Sequence, residues 1–169
     1  MPATPDDLFA FLDDLGIAHE TVTHPPLFTV EQSRELRGEL PGGHTKNLFF
    51  KDKKKRLFLV TCDESRKVDL KALEKAIGAA RLSFGKPELL MEVLGVIPGA
   101  VTAFSLINDR GESPRVTFAI DESLLAHERI HCHPLHNEAT TAICPEDLMR
   151  FVTACGHEAM RIDFDGLEV

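Results

Sequence analysis

The sequence predicts an α/β protein: a mixed β-sheet with helices packed against it. Two observations carry this expectation. Apolar residues recur at helical spacing in several separate segments, and short apolar runs rich in Phe, Leu, Ile and Val lie between them. The two kinds of segment do not alternate strictly as βαβ units, so the sheet is mixed rather than all parallel. The 169 residues are 43% hydrophobic and 27% charged, which suits one domain spanning 1–169 with a core of ordinary size. No repeat, low-complexity tract or linker divides them.

The first helix begins at a clear signal. Thr4 is the expected N-cap, Pro5 occupies the first helical position and Asp7 completes a capping-box pair. Leu8, Phe11, Leu12 and Leu15 share one face, Gly16 ends the run, and Ile17 to Val22 reads as a strand. Thr29 with Gln32 starts a second helix that closes near Gly38. After the turn Leu40-Pro41-Gly42-Gly43, the runs 46–50 and 57–60 flank the polar tip Asp52-Lys53-Lys54-Lys55. This is a β-hairpin, apolar enough to be buried on both faces. Asp69 to Ile77 forms a further helix with Leu70, Leu73 and Ile77 inward, and Pro87 opens another carrying Leu89, Leu90, Val93 and Leu94. Gly95-Val96-Ile97-Pro98-Gly99 breaks it. Strands follow at Arg115–Ile120 and Arg129–His133, around a short helix at Asp121. Cys144-Pro145-Glu146-Asp147 opens the last helix, with Leu148, Phe151, Val152 and Cys155 as its apolar stripe. Met160 to Phe164 adds a final strand.

Composition excludes several functions. Net charge is −8, from 27 acidic and 19 basic side chains, so the surface repels a phosphate backbone at long range. A broad binder of DNA or RNA is excluded, whereas local contact with one nucleic-acid end stays open. There is no Trp or Tyr, so a base-stacking platform is missing; all eleven aromatic residues are Phe. The four cysteines show no C-x-x-C spacing, and no run is long enough to span a bilayer. The N-terminus lacks the pattern of a secretion signal, so a soluble, reduced, cytoplasmic protein without membrane contact is expected.

Three constellations carry possible chemistry. In Gly42-Gly43-His44-Thr45-Lys46-Asn47, a glycine turn feeds a strand. Such a turn lets amides approach an anion, and a lysine at a strand start aims its ammonium into a cleft. The plain alternative is a hairpin entry with a solvated lysine. In Ile130-His131-Cys132-His133-Pro134-Leu135-His136-Asn137, the histidines invite a metal reading. His131 and His133 would share a strand face, with His136 turning back as a third ligand. The alternative is a single histidine in a cleft. The loop Gly95–Gly99 is either a helix stop or a rigid wall that shapes a small pocket with its backbone. The basic stretch Lys51–Arg56 is either a soluble hairpin tip or a phosphate contact.

In order along the chain, GGHTKNLFFKDKKKRLFLVTC (42–62), LGVIPGAVTAFSLIND (94–109), VTFAIDESL (116–124) and HPLHNEATTAICPEDLMRF (133–151) resemble the YbaK and prolyl-tRNA-synthetase-associated editing domains. The similarity is strongest to the freestanding alanyl-tRNA(Pro) deacylases of that family. It implies the editing-domain α/β fold and trans-editing hydrolysis of mischarged aminoacyl-tRNA(Pro), foremost alanyl-tRNA(Pro), with the acceptor end as partner. It also implies catalytic roles for Lys46 and His133. Substrate contacts are implied at Thr45, Asn47, Gly95, Ile97, Pro98, Gly99 and Asn137. Neither a metal nor a cofactor is expected. An aminoacyl ester is already activated, so the enzyme need only hold the terminal adenosine, place a water and stabilise the developing oxyanion. Two other classes stay open on the residues alone. One is a metal-dependent hydrolase built on His131, His133 and His136. The other is a non-catalytic aminoacyl-tRNA or nucleic-acid binding module.

Overall fold

The computed structural model describes residues 1–26 and 41–169, and the helix expected between Thr29 and Gly38 lies outside them. Helix α1 (Pro5–Asp14) opens as its sequence demands. Thr4 Oγ1 accepts from the Asp7 amide at 3.1 Å, and Asp7 Oδ2 accepts from the Thr4 amide at 2.9 Å. This reciprocal pair satisfies donors that a helix start leaves open. Strand β1 (His19–Thr23) starts two residues later than expected. Ile17 is instead held at the helix exit, where its amide donates to the Leu12 carbonyl at 3.0 Å and its side chain is buried.

The described residues form an eight-stranded sheet. Its further strands are β2 (Gly43–Asp52), β3 (Leu57–Asp63), β4 (Leu82–Phe84), β5 (Val116–Asp121), β6 (Ile130–Cys132), β7 (Ala139–Ile143) and β8 (Met160–Ile162). They lie in the order β1-β7-β6-β2-β3-β5-β8, with β4 also on β2. The pairs β2–β6, β3–β5 and β5–β8 are parallel and the rest antiparallel, so the sheet is mixed, as the sequence predicts.

Strand β3 is buried on both faces, and its alternation feeds two cores. Leu57 and Leu59 pack with Leu8 and Leu12 of α1, and with Leu90 and Leu94 of α3 (Pro87–Leu94). Leu148, Phe151 and Val152 of α4 (Pro145–Ala154) complete that cluster. Phe58, Val60 and Cys62 pack on the other side with Leu73 and Ile77 of α2 (Leu70–Ile77) and with Phe164. Phe takes the place of larger aromatics: Phe151 meets Phe11 and Phe104 edge to face, with centroids 5.7 and 5.4 Å apart.

Three elements escape a sequence reading. Strand β4 has three residues, too few to show a period. Strand β7, Ala-Thr-Thr-Ala-Ile, hides its alternation in small residues. The 3₁₀ segment Ala103–Asn108 is buried through Ile107, so it shows no one-sided stripe. The hairpin tip also needs correction, because Asp52 is buried rather than part of the solvated turn. Its carboxylate accepts from the amides of Lys54, Arg56 and Ala80 and from Arg56 Nε, all within 3.0 Å. Burial alone would raise its pKa, but these donors outweigh it and hold the carboxyl below the usual range. Among the described residues no helix is long and apolar enough to cross a membrane, and all four cysteines are free.

Candidate active site

The sheet splits at the segment containing Lys46. Along one edge, β2 pairs with β6 only at Gly43 and His44, and with β4 only from Phe50 to Asp52. Among the described residues no strand ladder covers the stretch between, while the opposite edge is paired with β3 throughout Thr45–Lys51. The ladder to β6 ends with His44 and His131, one residue before β6 itself ends and the chain enters His133-Pro134. Thr45 closes the junction by donating its hydroxyl to the His131 carbonyl at 2.7 Å.

Lys46 and Asn47 are neighbours in sequence but project to opposite faces of β2. Lys46 lies opposite Cys62 and donates its ammonium to the Arg66 carbonyl. Asn47 lies opposite Thr61, whose hydroxyl donates to Asn47 Oδ1 at 2.5 Å. The amide of Asn47 is therefore oriented by the neighbouring strand.

His133 lies just beyond β6, in the loop to β7, and lines a small cleft of about 30 Å³ with His44, Thr45, Glu64, His131, Cys132 and Thr140. Its Nδ1 lies 3.1 Å from the Ala139 carbonyl. A nitrogen facing a carbonyl carries the hydrogen, so in the neutral ring Nε2 holds the lone pair. Burial pushes the ring below the ordinary value of 6.5, His24 and His136 add to that, and the Ala139 bond opposes it. His133 is therefore a neutral imidazole near pH 7, built to accept a hydrogen bond. Its ring centroid is 6.4 Å from that of His24, which is itself tied to the Thr140 hydroxyl at 2.8 Å. Asn137 is buried in the same loop, where Leu135 adopts a φ of 72°.

The histidines do not assemble as metal ligands. His131 directs Nε2 to the Pro41 carbonyl at 2.9 Å and stacks on His44 with centroids 4.5 Å apart. His136 Nδ1 accepts from the Glu138 amide at 3.2 Å. His133 lies beyond the end of β6 at Cys132, so it and His131 border the same cleft without standing on one strand face. Among the described residues no group of three or more His, Cys, Asp or Glu side chains is placed to hold a metal ion.

The Gly95–Gly99 loop is rigid but stands apart from that cleft, which none of its residues lines. Gly95 caps α3 at φ 67°, and a Cβ there would approach Asn108 Nδ2 to 2.7 Å and Pro2 to 2.8 Å. Asn108 locks the loop by donating to the Leu94 carbonyl and accepting from the Ala3 amide, both at 2.8 Å. Val96 is buried beneath, and the Ala100 amide closes a turn on the Ile97 carbonyl at 3.0 Å. Ile97, at 53% exposure, stands on the surface with Pro98 and Gly99.

This architecture and sequence match known proteins. The model of the aminoacyl-tRNA editing domain family matches residues 24–151. The chain belongs to the aminoacyl-tRNA editing domain family. It is 40% identical over 161 residues to prolyl-tRNA synthetase associated domain-containing protein 1 of Danio rerio, covering 94% of this chain and 86% of that one. It is 34% identical over 157 residues to the prolyl-tRNA editing protein ProX of Acetoanaerobium sticklandii, covering 92% and 94%. Two solved structures share the fold. One is hypothetical protein APE2540 (TM-score 0.71, 16% identity, 92% and 97% covered). The other is described as a candidate trans-editing enzyme for prolyl tRNA synthetase (TM-score 0.69, 19% identity, 96% and 99% covered).

Several residues of this editing domain were not legible as site residues in the sequence. Glu64, Thr140 and His44 line the cleft beside His133, and Thr61 and Arg66 hold Asn47 and Lys46. One signal was present. A hairpin folded about its lysine-rich tip pairs Lys46 with Cys62 and Asn47 with Thr61, so Thr61 follows from register. Arg66 and Glu64 follow no local pattern.

Proposed function

We propose that this editing domain hydrolyses the ester between a small amino acid, foremost alanine, and the acceptor end of tRNA(Pro). The reading is carried by one observation. A relative named a prolyl-tRNA editing protein aligns with nearly the whole chain; Lys46 adds to it, lying where no strand ladder among the described residues covers one edge of β2.

In this reading Lys46 keeps its bond to the Arg66 carbonyl and turns another N–H to the substrate, where its charge offsets the oxyanion that forms as water attacks the ester carbonyl. Water adds to the carbonyl carbon, the bond to the ribose oxygen of the terminal adenosine breaks, and that oxygen takes up a proton given up by the water, leaving a free hydroxyl and the amino acid's carboxylate. Neutral His133 accepts a hydrogen bond through Nε2 and so orders the attacking water or the substrate. The tRNA's own vicinal hydroxyl assists in place of a protein base. Thr45, Asn47 and Asn137 supply polar contacts to the terminal nucleotide. The cleft beside His133 is too small for an amino acid, so in this reading the aminoacyl group extends past it, and the exposed edge Ile97-Pro98-Gly99, stiffened by Asn108, limits its size from outside the cleft.

The test is a single-turnover deacylation assay on alanyl-, cysteinyl-, seryl- and prolyl-tRNA(Pro) with the purified protein. Rapid hydrolysis of alanyl-tRNA(Pro) with prolyl-tRNA(Pro) spared is expected. Binding without turnover of any of the four would leave a recognition module instead.

A further inference from the structure

The group that receives the Lys46 ammonium is a main-chain carbonyl, which any residue at position 66 would carry. What fixes that carbonyl is the side chain of the same residue. Arg66 sits in a turn after β3, its amide donating to the Asp63 carbonyl at 3.0 Å. Its side chain is 12% exposed, and the guanidinium reaches four acceptors. Nε donates to Asp121 Oδ2 at 3.1 Å, one terminal nitrogen to Asp165 at 2.9 Å and Glu168 at 3.4 Å, and the other to the Ser123 hydroxyl at 3.3 Å.

We propose that Arg66 is the positioning residue for Lys46: its guanidinium bolts the turn after β3 to Asp121 and to residues 165–169, so that its carbonyl fixes where the Lys46 ammonium sits. The inference rests on the reading that Lys46 serves deacylation. Asp121 is fully buried at the end of β5 and is itself oriented, accepting from the Asp63 amide with one oxygen and from Ser123 with the other. The tail is anchored independently, because Asp69 donates to the Leu167 carbonyl at 2.7 Å and Val169 to the Lys67 carbonyl at 2.8 Å. Three parts of the chain thus converge on one side chain: the end of β3, the end of β5 and residues 165–169. A planar guanidinium can bond several acceptors at once, whereas a lysine there reaches one and frees the rest. The three carboxylates also outnumber the one guanidinium, so Lys46 approaches an acidic cluster and is not repelled by it.

The test uses the full chain and two variants that keep the buried Asp121 paired. Arg66→Lys retains the charge beside Asp121, and Asp165→Asn with Glu168→Gln loosens only the outer clamp. Single-turnover hydrolysis of alanyl-tRNA(Pro) at saturating enzyme is expected to slow by about tenfold to 10²-fold in Arg66→Lys, the scale of a misplaced catalytic group. The half-saturating enzyme concentration should stay within about twofold of the unaltered protein, since positioning acts on the chemical step. The discriminating measurement is a double-variant cycle with Lys46→Ala. If Arg66 acts through Lys46, then Arg66→Lys adds no further loss once Lys46 is alanine. A general folding defect would instead multiply with it. An unchanged rate in both clamp variants, or a fully additive loss in the Lys46→Ala background, overturns the proposal while leaving the deacylase reading in place. An unaltered rate in Lys46→Ala removes Lys46 from catalysis and overturns the proposal at its premise, while the hydrolysis measured keeps the deacylase reading.

Discussion

Thr61 donates its hydroxyl hydrogen to Asn47 Oδ1 at 2.5 Å, across the antiparallel pair that also places Lys46 opposite Cys62. Because Thr61 is fully buried, the bond forms where water does not compete, and it fixes which end of the Asn47 amide donates. Thr61→Val keeps the shape and deletes the donor. A loss of about 1 kcal/mol of stability is expected, rising towards 3 if the Asn47 oxygen finds no other partner. Hydrolysis should slow further than melting alone explains. Thermal unfolding and single-turnover rates measured on one preparation separate the two effects.

Lys46→Ala is expected to abolish most deacylation with the fold intact. A charge aimed at a developing oxyanion is worth about 2–4 kcal/mol, a rate loss of about 10² to 10³. The substitution removes a half-buried side chain whose hydrogen-bond partner is one carbonyl in the turn after β3, so melting should move little. A near wild-type rate with unchanged melting takes Lys46 out of the site.

The pH dependence follows from His133. Burial holds its folded pKa below 6.5, so the unfolded chain binds the extra proton first as the solution is acidified. Its contribution to stability is therefore complete above pH 6.5 and declines as pH falls from there through the folded value. His131 is shifted the same way, by burial first, with His44 and Arg129 adding and the Pro41 bond opposing, so the two losses reinforce each other. Activity should persist near pH 6.5 and fall on an acid limb whose midpoint lies below that value. His133→Gln should lose that limb. A rate that halves at or above pH 6.5 assigns the limb to another group.

Size selection should respond to Ile97. Attraction discriminates weakly, since one methylene in an apolar pocket is worth about 1–3 kcal/mol, whereas a stiff wall turns added carbons into a clash. Ile97 is exposed while the backbone beneath it is locked by Gly95, Val96 and Asn108. Ile97→Ala is therefore expected to change stability by no more than about 0.5 kcal/mol. Its ratio of alanyl- to prolyl-tRNA(Pro) hydrolysis should drop. A ratio equal to that of the unaltered protein moves the wall elsewhere.

Much of this protein was legible in the residues themselves. The Thr4–Asp7 capping box, the stripes of the four described helices and the hairpin about residues 52–56 all depend on contacts a few residues apart or on register within one hairpin. The motifs around Lys46, Gly95–Gly99 and His133 depend on local order in the same way, and they carried the family resemblance that the comparisons bear out. Tertiary structure decided what depends on distant segments meeting. Gly43 and His44 pair in parallel with β6, some ninety residues on, and among the described residues no strand ladder takes its place beside Lys46. Arg66 is aimed by Asp121, Asp165 and Glu168, and two histidines of the run that reads as a ligand set each turn a ring nitrogen to a carbonyl, of Pro41 and of Ala139. No spacing rule encodes such meetings. A charged or polar side chain is indifferent to sequence distance, and its partner is set by whichever donors and acceptors the packed sheet leaves within about 3 Å.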